Sequence, residues 1–323
     1  MPESHLPADA TLADVGEFAL IDAVTALFEQ GEQVLVGPGD DAAVLRIKTG
    51  HAVVSTDLVV EGRHFRRDWV PAADVGARAA AQNISDINAM GGSATSLTLG
   101  LALPGDLEVA WVLDFARGFA EECAKVGASV VGGDITRSET LVAAVTVIGA
   151  CTVSPVLRSG AEPGDVLALC GRQGWAAGGL AVLGRGFRSP RVLVEAYRRP
   201  VPPYAAGAVA AEAGASAMID VSDGLVADAT HIAVASGVRL DIETAAFEVP
   251  EPLHAVSAAL GADPIQFILT GGEDHPLLAC FPADVDLPGD WTRIGTVLEA
   301  DGAGPRVTVD GEPFEGAGGW THF

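Results

Sequence analysis

The sequence predicts a two-domain protein of the α/β class, with α+β as the alternative arrangement of the same elements. Its 323 residues, 49% of them apolar, are enough to bury two hydrophobic cores of ordinary size. Apolar runs with strand-like and helix-like periodicity alternate along most of the chain. A stretch rich in Pro, Arg, Ser and Gly, residues 154–164, interrupts this alternation and indicates a domain boundary near residue 155.

Residues 15–154 form the predicted N-terminal domain, after a polar and acidic segment, residues 1–14, that is predicted to be a frayed extension. Helical periodicity predicts helices at 17–28, 72–90 and 106–126. Runs rich in β-branched and other apolar residues predict strands at 33–36, 51–56, 96–103 and 129–131, and the apolar run 141–153 closes the domain. Residues 155–323 form the predicted C-terminal domain, which opens with a strand at 165–169.

The charge balance excludes several classes of partner. The chain has 43 acidic and 19 basic residues, a formal net charge of -24, which repels nucleic acids and anionic membrane surfaces. No apolar run reaches the roughly 18 to 20 residues of a membrane span, and the N-terminal residues resemble no secretory signal. We therefore expect a cytoplasmic protein without a nucleic-acid or membrane partner. Because such a surface also repels phosphates, a phosphorylated substrate would require divalent cations.

Five short acidic segments follow or end apolar runs, and we interpret them as loops. They are Gly39-Asp40-Asp41, Ser55-Thr56-Asp57, Asn83-Ile84-Ser85-Asp86, Gly132-Gly133-Asp134 and Asp220-Val221-Ser222-Asp223-Gly224. Carboxylate and hydroxyl oxygens are the ligands that Mg²⁺ prefers, and glycine permits close approach of the backbone. Ordinary turn chemistry explains any single segment equally well, but five of them favour a site for several metal ions and a phosphate.

The chain lacks the usual phosphate-binding lysine motifs. No Gly-x-x-x-x-Gly-Lys-Ser/Thr sequence occurs, and the only lysines, Lys48 and Lys125, lie outside any protein-kinase motif. If phosphoryl transfer occurs, metal ions and arginines must supply the positive charge, with Arg158 and, more weakly, Arg137 as candidates.

At these residues the sequence resembles the thiamine-monophosphate kinase family. The ordered motifs that carry the resemblance are Gly16-Glu17-Phe18, Gly39-Asp40-Asp41-Ala42-Ala43, Ser55-Thr56-Asp57, His64-Phe65, Asn83-Ile84-Ser85-Asp86-Ile87, Gly132-Gly133-Asp134, Arg158-Ser159-Gly160, Asp220-Val221-Ser222-Asp223-Gly224, Gly271-Gly272-Glu273-Asp274 and Gly319-Trp320-Thr321-His322-Phe323. Each motif is weak alone, whereas the ordered series, from about residue 15 to the end, is specific. One departure is His275, which stands where the family often has Tyr.

The resemblance implies a two-domain fold like that of aminoimidazole ribonucleotide synthetase and a homodimer that pairs through the N-terminal domains. It also implies direct, in-line transfer of the γ-phosphoryl group of ATP to thiamine monophosphate, assisted by several Mg²⁺ ions. The product would be thiamine diphosphate, in the last step of its biosynthesis.

Site residues are carried over from the family motif by motif. The metal ligands implied are Asp41, Ser55, Thr56, Asp57, Asp86, Asp134, Asp220 and Asp223. The ATP contacts implied are Gly133, Asp134, Arg158 and Ser222, and the thiamine contacts implied are His64, Glu273 and Trp320. Asp57, Asp134, Asp220 and Arg158 would act in catalysis, because phosphoryl transfer depends on aligning and neutralising two polyanions.

Three alternatives stay open at this point. Another member of the same superfamily would phosphorylate an amide, carbamoyl or selenide substrate, although the late first cysteine, Cys123, and the terminal Phe323 disfavour the cysteine-dependent members. A nucleotide sensor would bind Mg²⁺-ATP without turnover. A structural acidic domain would bind neither.

Overall fold

The protein, described by a computed structural model, divides into two compact units. The structure describes residues 10–15, 17–37, 43–48, 50–316 and 318–320. Unit 1 comprises Met1–Ile87 and Ser93–Ala150, and unit 2 comprises Asn88–Gly92 and Cys151–Phe323. The predicted mixture of helices and strands is confirmed. After the short segment Asn88–Gly92, the chain returns to unit 2 at Cys151, near the boundary that the sequence predicts at residue 155.

The elements of the first half of the chain alternate between helices and strands. In chain order they are α1 (Leu12–Val15), α2 (Glu17–Thr25), β1 (Val34–Val36), β2 (Val44–Leu45), β3 (Val53–Val60), α3 (Ala72–Ala89), β4 (Ser93–Leu103), α4 (Val109–Ala124), β5 (Ser129–Arg137) and β6 (Val142–Ala150).

Unit 1 is built on a four-stranded sheet with the order β3-β6-β4-β5. β6 pairs antiparallel with both β3 and β4, and β4 pairs parallel with β5, so β3 and β5 are the two edge strands. Alternate residues of β6, such as Ala143, Val145 and Val147, are fully buried on one face of this sheet. On the other face, Val54 and Leu58 of β3 are 59% and 54% exposed, which leaves an apolar surface uncovered within unit 1.

Glycine permits the close packing of α3 against α4. A Cβ atom added at Gly118 of α4 would collide with the carbonyl oxygen of Ala73, and one added at Gly76 of α3 would collide with that of Phe115. Helices can approach this closely only where one of them has no side chain at the contact. The two glycines therefore set the position of α3, the helix that contains Asp86.

Part of the predicted N-terminal extension is folded. Residues 1–9 lie outside the described residues, but Thr11 forms a β-bridge with Glu108, and α1 begins at Leu12. Thr11 also donates through its main-chain nitrogen and its hydroxyl to Asp14. The main-chain nitrogen of Leu12 donates to the carbonyl oxygen of Leu107 over 3.1 Å, and that of Val109 donates to the carbonyl oxygen of Ala10 over 2.8 Å, so secondary structure before residue 15 is attached to the start of α4.

Three of the five acidic segments are not loops, which corrects the interpretation from sequence. Ser55-Thr56-Asp57 lies inside β3, Asn83–Asp86 lies inside α3, and Gly132-Gly133-Asp134 lies inside β5. Glycine and Asp are disfavoured in strands, but pairing with β6 and β4 overrides that local preference. The edge positions of β3 and β5 also tolerate polar residues better than a central strand does.

The second half of the chain contains the remaining elements, together with a short 3₁₀ helix at Thr244–Ala246. They are β7 (Val166–Cys170), α5 (Trp175–Gly184), α6 (Arg191–Arg198), α7 (Ala206–Glu212), β8 (Ala217–Asp220), α8 (Leu225–Ser236), β9 (Val238–Ile242), α9 (Glu251–Leu260), α10 (Pro264–Thr270), β10 (Leu277–Phe281), β11 (Thr292–Glu299), β12 (Arg306–Val309) and β13 (Glu312–Pro313).

Unit 2 is built on a seven-stranded sheet with the order β13-β12-β9-β11-β7-β10-β8. All five residues of β10 are fully buried, so helices or loops cover both faces of the sheet there. Leu278 and Cys280 join a core cluster with α8 residues such as Ile232, whereas Leu277 and Phe281 join a second cluster on the opposite face. This position places the end of β8, beside β10, next to the loop that leads into β10.

The described helices are short or contain charged residues. The longest, α3, has 18 residues and includes Asp74, Arg78 and Asp86. Among the residues that the structure describes, no helix combines the length and the apolar character that a membrane crossing requires.

Candidate functional site

The predicted metal ligands of β3 and α3 meet in unit 1. The hydroxyl of Ser55 donates to Oδ2 of Asp86 over 2.6 Å. Asp57 is two residues further along β3, so strand alternation places it on the same face as Ser55. The residue opposite Asp57 on β6 is Val145, whose side chain is fully buried. Ser55, Asp57 and Asp86 thus supply hydroxyl and carboxylate oxygens on the face that α3 covers.

Thr56 lies on the other face of the sheet. Its hydroxyl donates to the carbonyl oxygen of Val145 over 2.8 Å and lies 3.1 Å from the hydroxyl of Thr146. The side chains of three consecutive strand residues cannot all reach one ion, because neighbours point to opposite faces. The structure therefore separates the Thr56 side chain from Ser55 and Asp57.

Gly133 and Asp134 lie on the opposite edge of the same sheet from Asp57. Cross-strand partners form a row from Asp57 through Val145 and Leu99 to Gly133. Three strand spacings separate the ends of this row by about 14 Å. Asp134 is exposed on the edge strand β5, so it and Asp57 do not meet within one copy of unit 1.

His64 occupies a tight turn after β3. The main-chain nitrogen of Val60 donates to its Nδ1 over 3.0 Å, and Phe65, the next residue, is buried. Because Nδ1 accepts this hydrogen bond, the neutral imidazole bears its hydrogen on Nε2. The ring of His64 is thus held by its own turn and presents a donor nitrogen.

In unit 2, one buried carboxylate holds the loop that follows β8. Oδ2 of Asp228, in the first turn of α8, accepts hydrogen bonds from the main-chain nitrogens of Ser222, Asp223 and Gly224 at 3.0, 2.9 and 3.0 Å. Burial raises the pKa of Asp228 to about 7, and the bonds from Gly224 and Asp223 oppose that rise. Asp228 therefore determines where the side chains of Ser222 and Asp223 lie.

A second buried aspartate anchors the loop between α10 and β10. Both carboxylate oxygens of Asp274 lie 3.0 Å from the main-chain nitrogen of Ala176, at the start of α5. Burial raises the pKa of Asp274 to about 7, against the lowering effect of the Ala176 hydrogen bond and of Arg172. Glu273 and His275, on either side, have positive φ angles of 72° and 53°, which non-glycine residues adopt rarely.

The segments 220–224, 271–275 and 318–320 meet in one place. The main-chain nitrogen of Glu273 donates to the carbonyl oxygen of Ser222 over 2.9 Å, and that of Trp320 donates to the carbonyl oxygen of Asp223 over 3.0 Å. A Cβ atom at Gly272 or Gly319 would collide with the 222–223 main chain. These contacts bring together Asp220, Ser222, Asp223, Glu273 and Trp320. The Trp320 side chain is 57% exposed.

The main chain beside Arg158 pairs with β8, because the carbonyl oxygen of Leu157 accepts a hydrogen bond of 3.0 Å from the main-chain nitrogen of Met218, two residues before Asp220. The carbonyl oxygen of Arg158 accepts a hydrogen bond of 3.0 Å from Ser236, the last residue of α8. Asp41, the remaining predicted ligand, lies outside the described residues.

Sequence reasoning missed Asp228 and the roles of Asp274 and His275. The available signal for Asp228 was an acidic residue in the first turn after Gly224, a position that favours bonds to free main-chain nitrogens. His275 contacts Asp220 from a loop 55 residues away in sequence, and that contact gave no sequence signal.

The oxygen-rich side chains of both units fit a hard divalent cation. Ser55 with Asp86, and Asp220 with the neighbouring Asp223, supply hydroxyl and carboxylate oxygens, the ligand types that Mg²⁺ prefers. The motifs that contain these predicted ligands include no lysine whose positive charge could neutralise the carboxylates. Among the described residues no three carboxylate, imidazole or thiol groups come together in an arrangement that could hold a metal ion, so each pair is suited to a Mg²⁺ ion whose other ligands are water and phosphate oxygens.

Comparison with known proteins relates the whole chain to one group of enzymes. Residues 39–151 match the family described as AIR synthase related protein, N-terminal domain. The chain is 46% identical to the thiamine-monophosphate kinase of Mycobacterium tuberculosis (strain ATCC 25618 / H37Rv) over 316 residues, which covers 97% of this chain and 93% of that protein. It is 40% identical to the thiamine-monophosphate kinase of Corynebacterium glutamicum, with 97% and 95% covered.

A solved structure shows the same similarity in three dimensions. The structure of AaThiL complexed with AMPPCP and TMP has a TM-score of 0.77 and 34% sequence identity, and the match covers 97% of this chain and 99% of that chain.

Proposed function

The chain belongs to the thiamine-monophosphate kinase family, and we propose that it transfers the γ-phosphoryl group of ATP directly to thiamine monophosphate. A terminal phosphate oxygen of thiamine monophosphate forms the new bond to the γ-phosphorus as the bond to the β-phosphate oxygen breaks. ADP leaves, and thiamine diphosphate is the product.

The observation that carries the proposal is the full-length similarity to thiamine-monophosphate kinases. Of the predicted site residues that the structure describes, Ser55 and Asp86 contact each other, and Asp220, Ser222, Asp223, Glu273 and Trp320 share one loop cluster. The related structure complexed with AMPPCP, an analogue of ATP, and TMP supports the choice of both substrates.

We assign the ion-binding groups by their place in the fold. Ser55, Asp57 and Asp86 form one group, Asp220 and Asp223 form a second, and Asp134 stands on the far edge of the unit 1 sheet. Asp41 remains a predicted ligand, whereas the Thr56 side chain, on the other face of the sheet, does not join the Ser55, Asp57 and Asp86 group. Bound Mg²⁺ would neutralise the phosphate oxygens that ATP and the acceptor present to each other.

We assign the substrate contacts in the same way. Gly133, Asp134, Arg158 and Ser222 are the proposed ATP contacts, and His64, Glu273 and Trp320 are the proposed thiamine contacts. In phosphoryl transfer such residues align the reacting oxygens and stabilise charge rather than forming covalent bonds to substrate.

Product analysis tests the proposal. The purified protein is incubated with ATP and Mg²⁺, with and without thiamine monophosphate, and ADP and thiamine diphosphate are separated by chromatography. We expect both products in equal amounts, and only when Mg²⁺ and the acceptor are present. Binding of Mg²⁺-ATP without acceptor-dependent ADP would instead identify a nucleotide sensor or a kinase for another acceptor.

Replacing Trp320 by Ala is expected to raise the KM for thiamine monophosphate more than the KM for ATP. The exposed indole can stack on the pyrimidine or face the cationic thiazolium, a contact of about 0.5 to 2 kcal/mol, which corresponds to roughly 2- to 30-fold in KM. Steady-state kinetics with each substrate varied measure the effect. Phe187→Ala, which removes another exposed aromatic ring of unit 2, is the control, and an unchanged acceptor KM in Trp320→Ala would remove Trp320 from the pocket.

We also propose a homodimer that covers the open face of the unit 1 sheet. Val54 and Leu58 are more than half exposed there, and both edges of the sheet, β3 and β5, lack a further strand among the described residues. Pairing that brings the β5 edge of one copy to the β3 edge of the other would place Asp134 near Asp57 of the second copy.

Leu58→Glu is expected to convert the dimer to monomer, because the substitution buries a charge in an apolar interface. Sedimentation velocity over a range of protein concentrations measures the mass. Val234→Glu, a matched change at an exposed apolar residue of α8, should leave the mass unchanged. A Leu58→Glu protein that sediments like the wild type would place any dimer interface elsewhere.

A further inference from the structure

His275 makes a buried contact with Asp220. Nδ1 of His275 lies 3.1 Å from Oδ2 of Asp220, and the two side chains are 5% and 8% exposed. An ionised carboxylate only accepts hydrogen bonds, so Nδ1 bears the hydrogen and donates it to Asp220. At this burial the contact is screened little by solvent, which makes it a strong constraint on the carboxylate.

The backbone around His275 is built for this contact. Leu277 is the cross-strand partner of Asp220, and the carbonyl oxygen of Pro276 accepts a hydrogen bond of 2.9 Å from the main-chain nitrogen of Val221. His275 itself has a φ of 53°, in a region that non-glycine residues rarely occupy. Asp274, anchored to Ala176, holds the chain in this conformation. Residues that the surrounding structure holds in such a strained conformation are found most often at functional sites.

We propose that His275 is a positioning residue that holds Oδ2 of Asp220 and so presents Oδ1 to a divalent cation. The inference rests on the proposed function, in which Asp220 is a metal ligand. Carboxylates that bind metals are themselves oriented by hydrogen bonds, and loss of such a partner costs about 10- to 100-fold in metal affinity or activity. His275 acts through Asp220 and does not touch the substrates.

Two substitutions that both tolerate a positive φ separate the hydrogen bond from the loop conformation. His275→Gly removes the imidazole and relieves the backbone strain. His275→Asn keeps an N–H donor close to the position of Nδ1, and Asn is among the residues most often found with positive φ. Calorimetric titration of Mg²⁺ into each protein saturated with ADP measures the dissociation constant of Mg²⁺.

We expect His275→Gly to weaken Mg²⁺ binding by about 10- to 100-fold and His275→Asn to recover most of that loss. The KM for thiamine monophosphate at saturating Mg²⁺ should stay unchanged in both variants, whereas damage to the loop would raise it. A folded His275→Gly protein with wild-type Mg²⁺ affinity, or equal losses in the Gly and Asn variants, would overturn the proposal.

A third variant covers the case in which His275→Gly does not fold. His275→Gln fills the same space but moves the amide donor one methylene further from the backbone, so it should bind Mg²⁺ more weakly than His275→Asn. Equal Mg²⁺ affinities of the Gln and Asn variants would overturn the proposal. If the wild type binds Mg²⁺ and ADP but makes no thiamine diphosphate, the proposed function fails, while the Mg²⁺ comparison still decides the role of His275.

Discussion

Asp57→Asn is expected to lower kcat by about 10²- to 10³-fold and to leave the protein folded. The substitution keeps the shape of the side chain but removes one formal charge from the Ser55, Asp57 and Asp86 group. A metal ion bound there would lower the free energy of the transition state by several kcal/mol, because it stabilises the charge that develops on the phosphate oxygens. Steady-state turnover at saturating Mg²⁺ measures the loss, and the thermal unfolding midpoint checks the fold.

Asp106→Asn is the matched control for this prediction. Asp106 is exposed in unit 1 and precedes α4, away from β3, so its variant should turn over like the wild type. Wild-type activity in Asp57→Asn would refute the assignment of Asp57 as a metal ligand.

A mixture of two inactive variants tests whether the site is shared between copies. If Asp57 of one copy acts with Asp134 of the other, each mixed dimer of Asp57→Asn with Asp134→Asn contains one intact site. Random exchange then restores about a quarter of the wild-type activity, because half of the dimers are mixed and half of their sites are intact. No recovery after exchange would place both residues in the site of a single copy.

Asp228→Ala is expected to destabilise the protein by about 3 kcal/mol and to reduce activity strongly. The substitution removes the acceptor of three main-chain N–H groups, and each buried donor left without a partner costs about 1 to 3 kcal/mol, less where water enters. The loop would lose the arrangement that positions Ser222 and Asp223. Urea unfolding measures the change in the free energy of unfolding, and Mg²⁺-dependent turnover measures the functional loss.

Asp228→Asn distinguishes the hydrogen bonds from the charge. The substitution removes the charge, but the amide oxygen of Asn still accepts hydrogen bonds from the three main-chain nitrogens. We expect Asn to retain most of the stability that Ala loses. Asp284→Ala, at an exposed site of unit 2, should be close to neutral, and a similar neutrality of Asp228→Ala would show that water replaces the carboxylate.

The sequence alone was sufficient for the fold class and for the family, whereas the site residues stay predictions. Apolar periodicity predicted helices where α3 and α4 lie and strands where β4 and β7 lie, because long periodic segments record which face is buried. The order of short motifs predicted the family, and the full-length similarity to thiamine-monophosphate kinases confirmed it. The absence of a phosphate-binding lysine motif already indicated that cations or arginines would have to meet the phosphates.

Local propensity was misleading where tertiary pairing outweighed it. Gly132-Gly133-Asp134 has the composition of a turn, but eight residue pairs between β4 and β5 keep it extended. The sequence predicted one group of metal ligands at Ser55, Thr56 and Asp57. In β3, however, the Thr56 side chain lies on the opposite face of the sheet from the other two. No window of sequence shows such a division until the secondary structure of that segment is known.

The sequence by itself therefore determined which chemical groups are present: many hard oxygen ligands, only two lysines, and the order of motifs that is typical of the family. Only the tertiary structure decided which of those oxygens stand together and what holds them there. Asp228 accepts hydrogen bonds from the main chain of residues 222–224, only four to six residues before it in the sequence. His275, in contrast, contacts Asp220 from a position 55 residues later in the chain. Contacts of the second kind depend on strand order and register, which arise from packing of the whole unit rather than from the preference of any one residue.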